Sequence, residues 1–158
     1  MKLKHILLIL AVLIVDQISK IVINANMALG ESFDVIAGFF KITNVHNTGA
    51  AWSLFEGKMV FFYIITIVFV IAMVYFYRNS EEADGLSKLG VVLMIAGSLG
   101  NFIDRLWFQY VRDFLDFIIF NYDFPVFNVA DMSLCIGVAI VVLSVFLESY
   151  GGYHKCEK

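Results

Sequence analysis

The sequence predicts an all-α membrane protein, with four transmembrane helices and a small extracytoplasmic β-rich segment, built by residues 1–158 as a single membrane domain. Three observations predict it. Hydrophobic residues make up 61% of the chain and charged residues 16%, and mean hydropathy is +0.85. A soluble fold of this length has too little interior to hide that much apolar surface, so the bilayer has to serve as part of the solvent. Four apolar stretches are long enough to cross about 30 Å of hydrocarbon. The few polar residues inside or beside those stretches all fall toward one face of an up-down bundle.

The elements follow in order. A first helix is expected over about 5–23. Its apolar run from Ile6 to Val15 is interrupted by Asp16-Gln-Ile-Ser-Lys20 and resumes at Ile21. Without a small-residue cleavage pattern, it reads as a retained span rather than a removed leader. Residues 24–58 form a long external connection. There Phe33 and Val35 flank Asp34, and Phe39 to His46 is aromatic and β-branched, so a small sheet is expected. The second helix, about 59–77, carries no charge. A short charged loop over 78–88 leads to a third helix, about 89–107, uncharged until Asp104. Residues 104–123 form a second external segment holding Asp104, Asp113, Asp116 and Asp123. The fourth helix, about 124–147, has Asp131 as its only charge.

Lys2, Lys4, Arg78, Lys88, Lys155 and Lys158 fall on one side of this arrangement. Lys41, Lys58 and Arg112 fall on the other, with Lys20 and Arg105 at its boundary. With the boundary pair set aside as functional, the basic bias places both termini in the cytoplasm. The net charge of −3 and the lack of a basic run exclude nucleic acid as a partner. Cys135 and Cys156 have no framework or metal spacing and read as free thiols. His5, His46 and His154 are too scattered for a zinc site.

Spacing sharpens the polar cluster. Asp16 and Lys20 are four residues apart, hence on one helical face. Asn101, Asp104 and Arg105 share another face, and Asn128 and Asp131 a third. Asn47 and Asp113 lie in the external segments on the same side. Ionisable groups at membrane depth are costly, and they face a bundle interior or a water-filled cavity. Lys20 and Arg105 also suit interfacial anchoring. Asp116 and Asp123 read as solvated loop acids. Ala96 and Gly100 suit close helix packing.

No G-x-S-x-G or H-E-x-x-H is present, so serine and zinc hydrolysis lack local support. What remains is carboxylate chemistry, in which two close acids share one proton. Asp113 and Asp131 suit such a pair, with Asp104 and Asp116 as nearby competitors. A proton relay through Asp131, Asp16 and Lys20 is the rival reading. It needs ionisable groups through the full membrane depth, and the inner halves of the last three helices are nearly bare of them.

Five blocks in order resemble the lipoprotein signal peptidase, or signal peptidase II, family across nearly the whole chain. They are Asp16-Gln-Ile-Ser-Lys20, Asn47-Thr-Gly-Ala-Ala-Trp52, Gly97-Ser-Leu-Gly-Asn-Phe-Ile-Asp-Arg105, Val111-Arg-Asp-Phe-Leu-Asp116 and Phe127-Asn-Val-Ala-Asp131. The resemblance implies a membrane aspartic endopeptidase of the bacterial cytoplasmic membrane, with its active site at the extracytoplasmic face. It would remove the signal peptide from diacylglyceryl-modified prolipoproteins, on the amino side of the lipidated cysteine. It implies Asp113 and Asp131 as the catalytic pair. Asp16, Lys20, Asn47, Gly49, Asn101, Asp104, Arg105, Asn128 and Ala130 would bind substrate or support the site. No metal or organic cofactor is expected, membrane lipids are the surroundings, and a one-chain site suggests a monomer. Arg112 departs from the family, which has an apolar residue there. Beside Asp113, its charge is expected to lower that group's pKa.

Overall fold

The computed structural model describes residues 1–49, 56–79 and 85–153, with side chains through 149. Four helices, α1 (Leu3–Asn26), α2 (Met59–Asn79), α3 (Gly85–Phe108) and α4 (Val129–Tyr153), carry between them the strands β1 (Ser32–Ile36), β2 (Phe40–Asn47), β3 (Val111–Ile119) and β4 (Tyr122–Asp123). Each helix is long and apolar enough to cross a membrane.

The helices are not equivalent. The most apolar stretch of α3 is 67% buried, against 11% for α1 and for α2. Thus α3 is the central post, and the other three turn apolar side chains such as Ile14, Ile18, Ile64, Ile71, Val142 and Leu143 outward as a lipid-facing belt. Lipid tails are as apolar as leucine, so helices in a bilayer associate through close fit and polar contacts. The sequence supplies both. A Cβ added to Gly90 would lie 2.6 Å from the Gly137 carbonyl oxygen, and one added to Gly137 would lie 2.6 Å from that of Gly90. The two backbones therefore touch where neither residue has a side chain. Ser133 Oγ donates to the Leu93 carbonyl at 2.9 Å, and Ala96 is fully buried. In the first turn of α1, His5 Nδ1 lies 2.6 Å from the Tyr77 hydroxyl at the end of α2.

The strands form one antiparallel sheet in the order β1-β2-β3-β4. Its polar face carries Asp34, Lys41 and Asp116, which lie opposite one another. The other face carries Phe33, Ile42 and Leu115, also opposite one another. Phe40 stacks on Phe117 with centroids 4.5 Å apart, and Phe117 on Phe127 at 5.6 Å. An irregularity in β2 between Ile42 and Val45 resets the register, so that Val45 sits opposite Asp113.

Three details differ from expectation. The second external segment is not a plain loop, since it supplies β3 and β4 and thus half of the sheet. Its acids include buried ones: Asp116, expected in solvent, is 4% exposed, accepts a hydrogen bond from Thr43 Oγ1 and pairs with Lys41 Nζ at 3.4 Å. The fourth helix starts at Val129 rather than near 124. Pro125 lacks an N–H, and the chain before it stays extended. Phe127 exchanges backbone hydrogen bonds with Leu115 instead (N–H to O, 2.8 and 3.0 Å). The charged loop expected over 78–88 lies partly outside the described residues, and Gly85 to Lys88 already belong to α3.

Candidate active site

Asp113 is the third residue of β3, 2% exposed, with its side chain on the same face of the sheet as Leu115. Its Oδ1 accepts from Asn128 Nδ2 at 2.6 Å and its Oδ2 from Asn47 Nδ2 at 2.9 Å. Asp131 arrives from a different direction, in the first turn of α4. Asn128 caps this helix: its carbonyl accepts the first helical bond, from Met132 N–H at 3.1 Å. Its Oδ1 accepts from Asp131 N–H at 3.0 Å, and its own N–H donates back to Asp131 Oδ2 at 3.1 Å. This is a capping box in which an aspartate takes the place of the usual glutamate. One asparagine thus starts the helix, fixes Asp131 through backbone bonds and holds Asp113 through its side-chain amide.

A third amide completes the arrangement. Asn101 of α3 donates through Nδ2 to Asp131 Oδ1 at 2.6 Å. Its Oδ1 accepts from Asn128 Nδ2 at 3.0 Å and from Lys20 Nζ at 3.1 Å. Lys20 and Asp16, both fully buried, pair at 2.9 Å, and Lys20 lies 3.5 Å from Asp104. Asp16 Oδ1 also accepts from Ala130 N–H at 2.9 Å, tying α1 to the start of α4. Gly100 makes room for this, because a Cβ there would sit 2.7 Å from Asp16 Oδ2 and 2.9 Å from Ala130 Cβ. On the other flank Arg105 donates to the Gly49 carbonyl at 3.0 Å, and Gly49 N–H donates to Asn47 Oδ1 at 2.9 Å. Every candidate from the sequence therefore belongs to one connected network.

The two carboxylates open on a cavity of about 790 Å³. Asn47, Asn101 and Arg105 line its polar end, and Phe124, Pro125, Leu134 and Ile136 its apolar walls. Burial and the charge of Asp131 push Asp113 up to about 7, against the opposing hydrogen bonds from Asn47 and Asn128. A carboxylate poised there can hold or release a proton near neutrality.

Arg112 does not behave as expected. Strand alternation turns its side chain away from Asp113 and onto Asp104, where Nη2 reaches Oδ1 at 2.7 Å and Nε reaches Oδ2 at 3.2 Å. Its charge is spent on Asp104 and does not lower Asp113. Two contributors escaped the sequence reading. Gln17 bridges Asp16, Asp104 and Arg112 with bonds of 3.0, 3.1 and 2.9 Å, and a second polar residue beside Asp16 in an apolar span was its signal. Tyr63 donates to the Arg105 carbonyl at 2.9 Å and had no distinguishing signal in α2.

The family model for signal peptidase (SPase) II matches residues 8–147. The chain belongs to the signal peptidase II family. Two lipoprotein signal peptidases of Staphylococcus aureus strains are 46% and 45% identical over 150 residues, covering 95% of this chain and 92% of theirs. Two solved bacterial membrane enzyme structures, obtained by the in meso method, superpose with TM-scores of 0.88 and 0.83. Their identities are 44% and 46%, over 92% and 90% of this chain and 89% and 92% of theirs. For a signal peptidase II, an aspartic peptidase family, the amide-bridged carboxylates are the feature to explain.

Proposed function

We propose that this signal peptidase II removes the signal peptide from diacylglyceryl-modified prolipoproteins, cutting on the amino side of the lipidated cysteine, with Asp113 and Asp131 as the catalytic pair. The observation that carries this is the position of Asn128, which holds Asp113 by its side-chain amide and Asp131 by backbone and side-chain bonds at one cavity mouth.

The pair holds one proton. The ionised member takes a proton from water as the water oxygen attacks the scissile carbonyl carbon, and the protonated member donates to the carbonyl oxygen. The resulting tetrahedral species collapses, its C–N bond breaks, and a proton passes to the departing cysteine nitrogen. Asn101 and Asn128 keep the carboxylates apart and oriented. Arg105, Asn47 and Gly49 form a polar edge suited to an extended peptide backbone. Asp16, Lys20 and Ala130 fix the start of α4, and Asp104 fixes the start of β3. The apolar walls suit a signal helix and its lipid. The site lies at the extracytoplasmic face with both termini in the cytoplasm, and all its groups come from one chain, as in a monomeric enzyme.

The test is cleavage of a diacylglyceryl-modified prolipoprotein peptide by purified protein. Wild type should cut it, and Asp113→Asn and Asp131→Asn should each lose at least about 10³-fold in kcat while remaining folded. Near-normal turnover by either variant would remove that residue from the pair.

A further inference from the structure

The turn joining β1 to β2 and the turn joining β3 to β4 lie at the same end of the sheet, because Phe40, which opens β2, pairs with Phe117 near the end of β3. That end is remote from the dyad: Phe120 lies seven residues beyond Asp113, about 23 Å along an extended strand. It is apolar on both turns. Ile36 and Phe39 are 54% and 46% exposed on the first, and Ile119, Phe120 and Tyr122 are 41%, 101% and 53% exposed on the second. The β3–β4 turn has two central residues, Phe120 at φ +50° and Asn121 at φ +62°. Asparagine tolerates that left-handed conformation, but phenylalanine adopts it rarely. A bulky ring held there with its whole surface open needs a partner.

We propose that this two-turn tip inserts into the outer leaflet of the bilayer, with Phe120 as its deepest side chain. The lipid is favoured over other occupants by continuity with the belt of the helices. The segment that returns from the tip, Phe124 to Phe127, lines the same cavity as Met132 and Ile136 of α4. Met132 and Ile136 are 43% and 48% exposed, on the helix that also turns Val142 and Leu143 outward. The exposed apolar surface of the tip thus continues through Phe124, 39% exposed, toward that of α4. Lys41, the basic residue nearest this end in β2, is turned to the polar face and held by Asp116. Aromatic side chains at the polar–apolar boundary are a recurrent membrane anchor. The inference rests on membrane integration and, for the choice of leaflet, on the orientation proposed above, but not on the peptidase chemistry.

The test is depth measurement by power-saturation EPR in phosphatidylcholine–phosphatidylglycerol vesicles. A nitroxide is placed at Phe120→Cys in the full chain carrying Cys135→Ser and Cys156→Ser, with Tyr122→Cys as a second tip position. Asp34→Cys marks water and Val142→Cys marks lipid. The tip labels should match the Val142 label, with more collision with oxygen than with a water-soluble nickel chelate. Tip labels that match the Asp34 label overturn the proposal. Spin–spin broadening at residue 120 that disappears on dilution with unlabelled protein also overturns it, because the occupant is then a second copy of the chain.

Discussion

Arg112 and Asp104 are joined three times: Nη2 to Oδ1 at 2.7 Å, Nε to Oδ2 at 3.2 Å, and the Arg112 backbone N–H to Oδ2 at 3.0 Å. Asp104 is fully buried and Arg112 5% exposed. The fork geometry ties the first residues of β3 to the last turns of α3, and the next residue along the strand is Asp113. With Lys20 and Asp16, the pair makes a buried group of two cations and two anions.

Removing one partner leaves a buried charge exposed to no water. Arg112→Leu is expected to destabilise the protein by about 3 kcal/mol, with Lys20 still covering part of the Asp104 charge. Arg112→Lys keeps the charge but loses the fork, and should fall between the two. Thermal unfolding in detergent measures the series. An Arg112→Leu variant as stable as wild type would show that the pair contributes nothing.

Asn128 is asked to do two separable jobs. Asn128→Ser keeps a capping oxygen, and Asn128→Ala loses it at a cost of about 1 kcal/mol. Neither keeps the amide that donates to Asp113. Both variants should therefore lose about 10- to 100-fold in kcat, with little change in KM, since in the proposed mechanism the lost bond orients a reacting group. Only the alanine variant should lose thermal stability. Activity that tracks stability across the two would argue against a bridging role.

The position of Asp113 at about 7 has a stability consequence. Its folded-state value lies above the unfolded one, about 3.9. The native state therefore binds more protons than the unfolded chain between those values. The favourable contribution is complete below the unfolded value and is lost as pH rises through the folded one. Asp113→Asn should then gain stability relative to wild type at pH 8 but not at pH 4, by at least about 1 kcal/mol. The activity of the wild type should follow a bell in pH if, as proposed, the pair works with one proton. A pH-independent difference between the two proteins would contradict the shifted carboxyl.

Gly100→Ala places a methyl 2.7 Å from Asp16 Oδ2 and 2.9 Å from Ala130 Cβ. The cost should be about 1–3 kcal/mol, with activity falling as the start of α4 is displaced. Gly85 has nothing within 4 Å of an added Cβ, so Gly85→Ala serves as the neutral control. Equal effects at the two positions would mean that close approach at Gly100 is not what the glycine provides.

Local chemistry made the four spans readable, because an uncharged run such as Met59 to Tyr77 has few fates besides the bilayer. Convergence of Asp16, Lys20, Asn101, Asp104, Arg105, Asn128 and Asp131 followed from up-down topology and helical spacing alone. The capping role of Asn128 was partly legible too, as an asparagine three residues before an acid. Its second role was not, since the donor to Asp113 depends on where β3 lies.

Sequence by itself thus determined the membrane class, the number of spans, the side of the bundle that carries the polar residues and the family. These rest on composition and on spacing within one element. Tertiary structure alone decided which partner each charge takes. Arg112, adjacent to Asp113 in the chain, serves Asp104 because strand alternation reverses its direction. Asp116 looked solvated and is buried because β2 brings Lys41 and Thr43 against it. Such pairings are set by register between distant segments, and no window of the sequence contains both partners.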